Sequence, residues 1–332
     1  MAAPISPMAP SEASRWVRSL RTPKRTIDPF LPLRHFWEEE REPGGGAIAA
    51  LTVLLAGAEC PFTCVFCDLW RETLDGATPL GALPAQLRKA LAAAGPLPRP
   101  AAVKLYNASN FFAARAVPVE DEAEFLDLLA PFSRVTVECH PRLVGPRCLA
   151  FAARLVGRLE VAMGLETIHP RALPRLNKGM DLDDFGRAAD ALRAAGIGLR
   201  AFVLVAPPFV PAAEAVEWAV RSAAHAFESG ALRVSLIPVR GGNGALEALA
   251  ESGEFAPATL EQLEEALERC LAATIAATAA RGAARVVTAD LWDARRLARC
   301  AVCAEGRLER LARMNRTGTI EPRARCPACG WS

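Results

Sequence analysis

Residues 47–67 read AIAALTVLLAGAECPFTCVFC. An apolar run rich in Ala, Leu and Val opens directly into Cys60, Cys64 and Cys67, spaced C-x3-C-x2-C. The run falls short of the eighteen or more apolar residues that span a membrane. Its length and β-branched content suit a buried strand. The cysteines therefore follow the C-terminal end of a strand, which is where chemistry sits in parallel α/β folds.

The same pattern recurs downstream. Residues 101–109, 134–140, 158–166, 198–207 and 231–239 read as further strands. Helical stretches lie between them, among them LPAQLRKALAAA (83–94), EDEAEFLDLLAPF (120–132), LDDFGRAADALRAA (182–195) and AAEAVEWAVRSAAHAFESG (212–230). Repeated strand–helix units imply parallel strands joined by right-handed crossovers. Six units predict an α/β fold, a partial (β/α)6 barrel. The composition divides the chain further. Residues 1–46, Pro-rich and charged up to EREPGGGA, form an N-terminal extension; 47–290 form the core; 291–332, rich in Arg with two C-x2-C pairs, form a small C-terminal module. RWVRSLRTPKR (15–25) reads as a solvated arm, with contact to phosphates as the alternative.

With 332 residues, 52% of them hydrophobic, the chain has ample material for a large core. Its net charge of +2 excludes a globally basic nucleic-acid binder, though not a local basic patch. The N-terminus shows no secretory pattern. The expected compartment is the cytoplasm, with no membrane partner. Ten cysteines in tight x2 and x3 spacings then point to metal or catalysis rather than disulfides.

Three thiolates leave a site one ligand short. An iron–sulfur cubane held by three cysteines has one iron open. A chelator carrying an amine and a carboxylate, such as the methionine end of S-adenosylmethionine (SAM), can take that iron. An electron from the cluster then breaks the sulfonium bond and yields a 5′-deoxyadenosyl radical. The rival is a zinc site that borrows a distant fourth ligand. Phe66, just before Cys67, is placed to shield the cluster edge or to pack on adenine.

On these residues the chain resembles the radical SAM superfamily, over roughly residues 47–290. The resemblance implies a [4Fe–4S] cluster on Cys60, Cys64 and Cys67, SAM as cofactor, and a reductant partner such as flavodoxin or ferredoxin. In YNASNFF (106–112), where the superfamily commonly has Gly-Gly-Glu, Asn107, Ser109 and Asn110 stand in the place that meets the methionine amine. Glu138 in ECHP (138–141) and Glu166 in GLET (164–167) are expected at the mouth, on the cofactor's ribose or ammonium or in rim salt bridges. Arg240 and the glycines after it are expected to hold cofactor or substrate. His140 and His169 are further rim candidates.

The stretches LNKGM (176–180), VAPPF (205–209) and SLIPVRGGNGALEALAESGEF (235–255) resemble the archaeosine synthase radical subunits and their uncharacterised bacterial relatives, in the branch that includes elongator-type subunits. That resemblance suggests a tRNA base as substrate, with small molecules or peptides behind it. His140 stands where that family commonly has Arg.

In the tail, Cys300, Cys303, Cys326 and Cys329 supply four thiolates on two knuckles, a zinc-ribbon-like arrangement with a spacer longer than the usual ~15–20 residues. Four ligands close the shell, so a structural Zn2+ is expected, with an auxiliary iron site as rival. The Arg-rich spacer offers phosphate contacts. Cys139, Cys148 and Cys270 read as core or helix residues, with Cys139 a redox candidate from its rim position. The competing function is a non-catalytic, zinc-stabilised nucleic-acid-binding protein.

Overall fold

The protein is described here by a computed structural model covering residues 9–281 and 284–331. The first eight residues of the expected extension, Gly282 and Ala283 of the core, and Ser332 of the tail lie outside the described residues.

All six expected strands form. They are β2 (Ala47–Leu54), β3 (Ala101–Tyr106), β4 (Arg134–Glu138), β5 (Arg158–Glu166), β6 (Gly198–Val205) and β7 (Arg233–Pro238), parallel and in sequence order. Two more strands flank them. β1 (Arg34–Arg41), from the expected extension, pairs antiparallel with β2 through a tight connection in which Gly45 and Gly46 take positive φ. β8 (Val286–Ala289) adds in parallel to β7. The helices are α1 (Pro10–Ser19), α2 (Ala82–Ala94), α3 (Glu122–Leu129), α4 (Pro146–Arg154), α5 (Leu182–Ala194), α6 (Ala215–Glu228), α7 (Ala245–Glu251), α8 (Leu260–Arg281) and α9 (Ala301–Thr317). α5 shows how local sequence fixes a start: Asp181 and Asp184 form a reciprocal capping box.

Alternation along the strands sends one set of side chains outward under the helices. Leu51, Val53, Val103, Leu105, Val135 and Val137 lie there, fully buried. Phe111 packs edge-on against Phe125 and Phe151, with ring centroids 5.3 and 5.4 Å away. Burying each such side chain contributes about 1.5–3 kcal/mol.

The other set of side chains is charged, and it shows how the sheet curls. Glu40 of β1 meets Arg200 of β6 at 2.6 Å although four strands separate them in the sheet order. It also pairs with Arg134 of β4. Glu160 of β5 binds Arg200 at 3.0 Å and Arg233 at 2.7 Å, and accepts from Thr136 at 3.0 Å. Lys104 of β3 reaches Glu38 at 2.6 Å. Such contacts require strands wrapped around a common interior, a half-barrel. Burial would raise the Glu160 carboxyl, but Arg200, Arg233 and Arg134 outweigh it and hold the group down at about 2.

The edges β1 and β8 do not pair, and α9 packs against both. The Asn315 amide donates to Ala289 O and accepts from Ala289 N, each at 2.8 Å. That satisfies backbone groups on an otherwise bare strand edge. Trp292 stacks on Phe36 of β1 at 6.0 Å, with Arg34 over its ring. Arg307 binds Glu261 and Glu264 of α8, and Arg310 binds Glu268. α9 therefore runs alongside α8 in the same direction. Since α8 begins just past the end of β7, where Ala258 N donates to Val239 O, Cys300 stands at the mouth end of the barrel.

Candidate metal and cofactor site

The loop carrying Cys60, Cys64 and Cys67 leaves the C-terminal end of β2 and is gripped on several sides. Val65 N donates to Leu176 O at 2.9 Å. Asn177, in the left-handed conformation that Asn tolerates, donates to Thr63 O and Thr63 Oγ1, each at 2.9 Å. Asn243 donates to Val65 O at 2.7 Å and Cys67 O at 3.2 Å, while its oxygen caps Leu246 N. Phe62, between the first two cysteines, stacks on the His140 ring at 3.7 Å and nearly parallel. The loop is thus preformed, and loops from β5 and β7 hold it.

His140 acts as a scaffold here. Its Nδ1 accepts from Arg142 N at 3.2 Å, so the proton sits on Nε2, which donates to Lys178 O at 3.0 Å. Burial, then the nearby Lys178 charge, pushes its pKa down to about 4. His169 makes local contacts. Its Nδ1 caps Arg171 N and Ala172 N, and its ring meets Trp218 of α6 edge-on.

Burial raises all three loop thiols, Cys64 to about 12. Desolvated thiols of this kind become thiolates when a cation takes the proton's place. Among the described residues, the one group of His, Cys, Asp or Glu whose ligand atoms gather within 4.8 Å is the tail set. Cys60, Cys64 and Cys67 share one short loop, and the burial of their thiols is its common feature.

β3 is followed by Asn107 and Ser109. Both side-chain atoms of the Asn107 amide and the Ser109 hydroxyl are buried without a hydrogen-bond partner. Buried polar groups are normally paired. This unmet capacity suits a small polar ligand such as the amine and carboxylate of SAM, so the residues present fit that group. Beside them, burial raises the Glu138 carboxyl to about 7, against the opposing pull of Asn107 N–H and Lys178. Glu166 takes a positive φ at a bulge ending β5 and meets Lys178 Nζ at 2.8 Å. Lys178 also lies within electrostatic reach of Cys60 and Cys64; burial opposes its charge, and Glu166 with these sulfurs more than restores it.

The remaining sequence candidates sit around this mouth. Arg240, just past β7, reaches Asp290 at 3.4 Å. Phe66 packs on a second apolar cluster that includes Val17, Leu204, Val239 and Phe255. Asn177, Lys178 and Asn243 are the residues that sequence reasoning gave no role. Lys178 lies in the LNKGM stretch and Asn243 in the Gly-rich loop, but the cysteine-loop groups that Asn177 and Asn243 hold are more than 100 residues away in sequence.

In the tail, Cys300 and Cys303 stand at the N-terminus of α9, with Cys326 and Cys329 on a turn closed by Gly330 N to Cys326 O at 2.9 Å. Cys303 Sγ is 3.8 Å from Cys329 Sγ. Both knuckles of the expected four-cysteine site come together, one on a helix and one on a turn, with no strand among the described residues of 291–331. Arg307, over the Trp331 ring at 4.3 Å, and Arg323, paired with Glu268 at 2.9 Å, pin the tail to α8 and α9.

No protein-family model matches the chain. The archaeosine synthase subunit beta of Methanosarcina acetivorans is 27% identical over 226 residues, covering 65% of each chain. This chain thus spans just under two thirds of that relative's length. Among solved structures, a radical SAM methyltransferase from Sphaerobacter thermophilus shares 18% identity, covers 80% of this chain and 79% of its own, and gives a TM-score of 0.49. Elp3 of Methanocaldococcus infernus, at 15% identity, covers 69% and 56% with a TM-score of 0.48. The chain resembles the radical SAM enzymes.

Proposed function

We propose that this protein is a radical SAM enzyme with its cluster on Cys60, Cys64 and Cys67. The observation that carries the reading is a preformed three-cysteine loop at the barrel mouth, tied through Asn110 to the segment in which polar atoms of Asn107 and Ser109 are buried without partners. Cys60, Cys64 and Cys67 would hold a [4Fe–4S] cluster, and Asn107 and Ser109 the methionine end of SAM; together these groups would supply reductive cleavage of the sulfonium and hydrogen abstraction from substrate.

In this reading the chain's own residues bind and orient. Asn107 and Ser109 take the polar methionine end. Glu138, whose carboxyl burial raises, and Glu166, paired with Lys178, accept hydrogen bonds from the ribose hydroxyls. Phe66 shields the cluster edge, and Arg240 closes the far side beside Asp290. The core at 47–290 holds the chemistry. The four cysteines of 291–332 hold a structural Zn2+ that keeps α9 across the barrel seam. A flavodoxin or ferredoxin in the cytoplasm supplies electrons.

For the substrate we favour a tRNA base. The relative named for archaeosine synthesis supports this, as do exposed Arg299 and Arg325, each directly preceding a knuckle at the mouth end. The test is 5′-deoxyadenosine formation by the anaerobically reconstituted protein with reductant, with and without tRNA. Cys60→Ala, Cys64→Ala or Cys67→Ala should abolish it. Formation undiminished in these variants would reject the assignment. Tight, salt-sensitive tRNA binding with zinc alone would favour the non-catalytic binding protein.

A further inference from the structure

We propose that Asn110 is a positioning residue that sets the reduction potential of the cluster through a hydrogen bond to Cys60. The proposal rests on the reading above, in which Cys60 ligates a [4Fe–4S] cluster.

Asn110 is 3% exposed and lies between the end of β4 and the cysteine loop. Its Oδ1 accepts from His140 N at 2.5 Å. A backbone N–H needs an oxygen opposite it, so this contact fixes which end of the carboxamide is which. The amide nitrogen then faces the other way, and Nδ2 stands 3.3 Å from Cys60 Sγ. The backbone is anchored on both sides: Ala113 N donates to Asn110 O at 3.1 Å, and Phe111 N to Glu138 O at 2.9 Å. The His140 ring is itself clamped between Phe62 and Lys178 O. The carboxamide is therefore held with its positive end on one sulfur of the three.

Reduction adds negative charge that the cluster shares with its ligating sulfurs. An N–H directed at such a sulfur stabilises the reduced form more than the oxidised one, and so raises the potential. Hydrogen bonds to ionised acceptors are the stronger kind. None of the described contacts gives Cys64 or Cys67 a comparable side-chain donor, so Asn110 acts on the cluster from the Cys60 side.

The test compares wild type, Asn110→Asp and Asn110→Leu. Asn110→Asp keeps an oxygen for His140 N–H but loses the donor and adds negative charge. Asn110→Leu loses the donor without adding charge. Each protein is reconstituted anaerobically, its iron and sulfide are counted, and the reduced cluster is titrated by electron paramagnetic resonance. The reduced-to-oxidised ratio at fixed potential should fall about tenfold in Asn110→Leu, about 59 mV for one electron, and further in Asn110→Asp. Midpoints equal to wild type, or shifted positive, in cluster-loaded variants would overturn the proposal and leave the cluster assignment standing. A wild-type protein that assembles no cluster would overturn both.

Discussion

Lys178 Nζ lies 2.8 Å from Glu166 Oε1, and the space for this pair exists because residue 164 is glycine: a side chain there would run into both groups. Both partners are buried. Removing one leaves an uncompensated charge at the mouth, a loss of about 3–5 kcal/mol. Lys178→Met should lower unfolding free energy by that order, and adding Glu166→Leu should recover part of it. Denaturant titration of the single and double variants checks this, and additive losses would contradict the pairing.

The barrel interior makes a pH prediction. Glu160 has a folded pKa of about 2 against an ordinary value of 4.5. A carboxyl depressed by folding contributes stability above its unfolded pKa and loses it as pH falls through the folded one. Glu160 therefore contributes up to about 3 kcal/mol at neutral pH, withdrawn between about pH 4.5 and 2. Glu160→Gln should be markedly less stable at pH 7, with the gap to wild type narrowing below pH 4.5 in urea titrations. A gap constant with pH would contradict the assignment.

Asn315 supplies both hydrogen bonds on the free edge at Ala289. Asn315→Ala should cost about 1–3 kcal/mol. It should also speed amide exchange in β8 while leaving β3–β6 unchanged. Uniform acceleration across the sheet would argue against a local clamp.

The four tail cysteines converge on one point at the head of α9. Cys303→Ser should lose the tail metal and lower thermal stability, while Cys60, Cys64 and Cys67 still load. Retention of all metal by Cys303→Ser would separate the tail from metal binding.

The parallel strands were legible because they are buried on both faces and read as apolar runs. β1 was not. Its sequence, Arg-His-Phe-Trp-Glu-Glu-Glu-Arg, looks like a solvated segment, yet Glu38 and Glu40 turn into the barrel to meet Lys104, Arg134 and Arg200. Polar-looking alternation was inward-facing charge, and only cross-barrel partners reveal that. β8 is four residues long, too short to carry a pattern. The cysteine loop was legible as a candidate because its three cysteines are local in sequence. Its supports, Asn110, Asn177, Lys178 and Asn243, act through contacts tens to hundreds of residues apart. His169 carried a rim residue's spacing, and its ring caps a turn and packs against Trp218 of α6, contacts no local pattern announces.

The central claim is a cluster on Cys60, Cys64 and Cys67. The most direct measurement is iron and acid-labile sulfide per chain, after anaerobic reconstitution, in wild type and in a Cys60→Ala/Cys64→Ala/Cys67→Ala variant. The account predicts about four irons and four sulfides more in wild type than in the variant, with the tail metal equal in both. Equal iron and sulfide in the two proteins would contradict it.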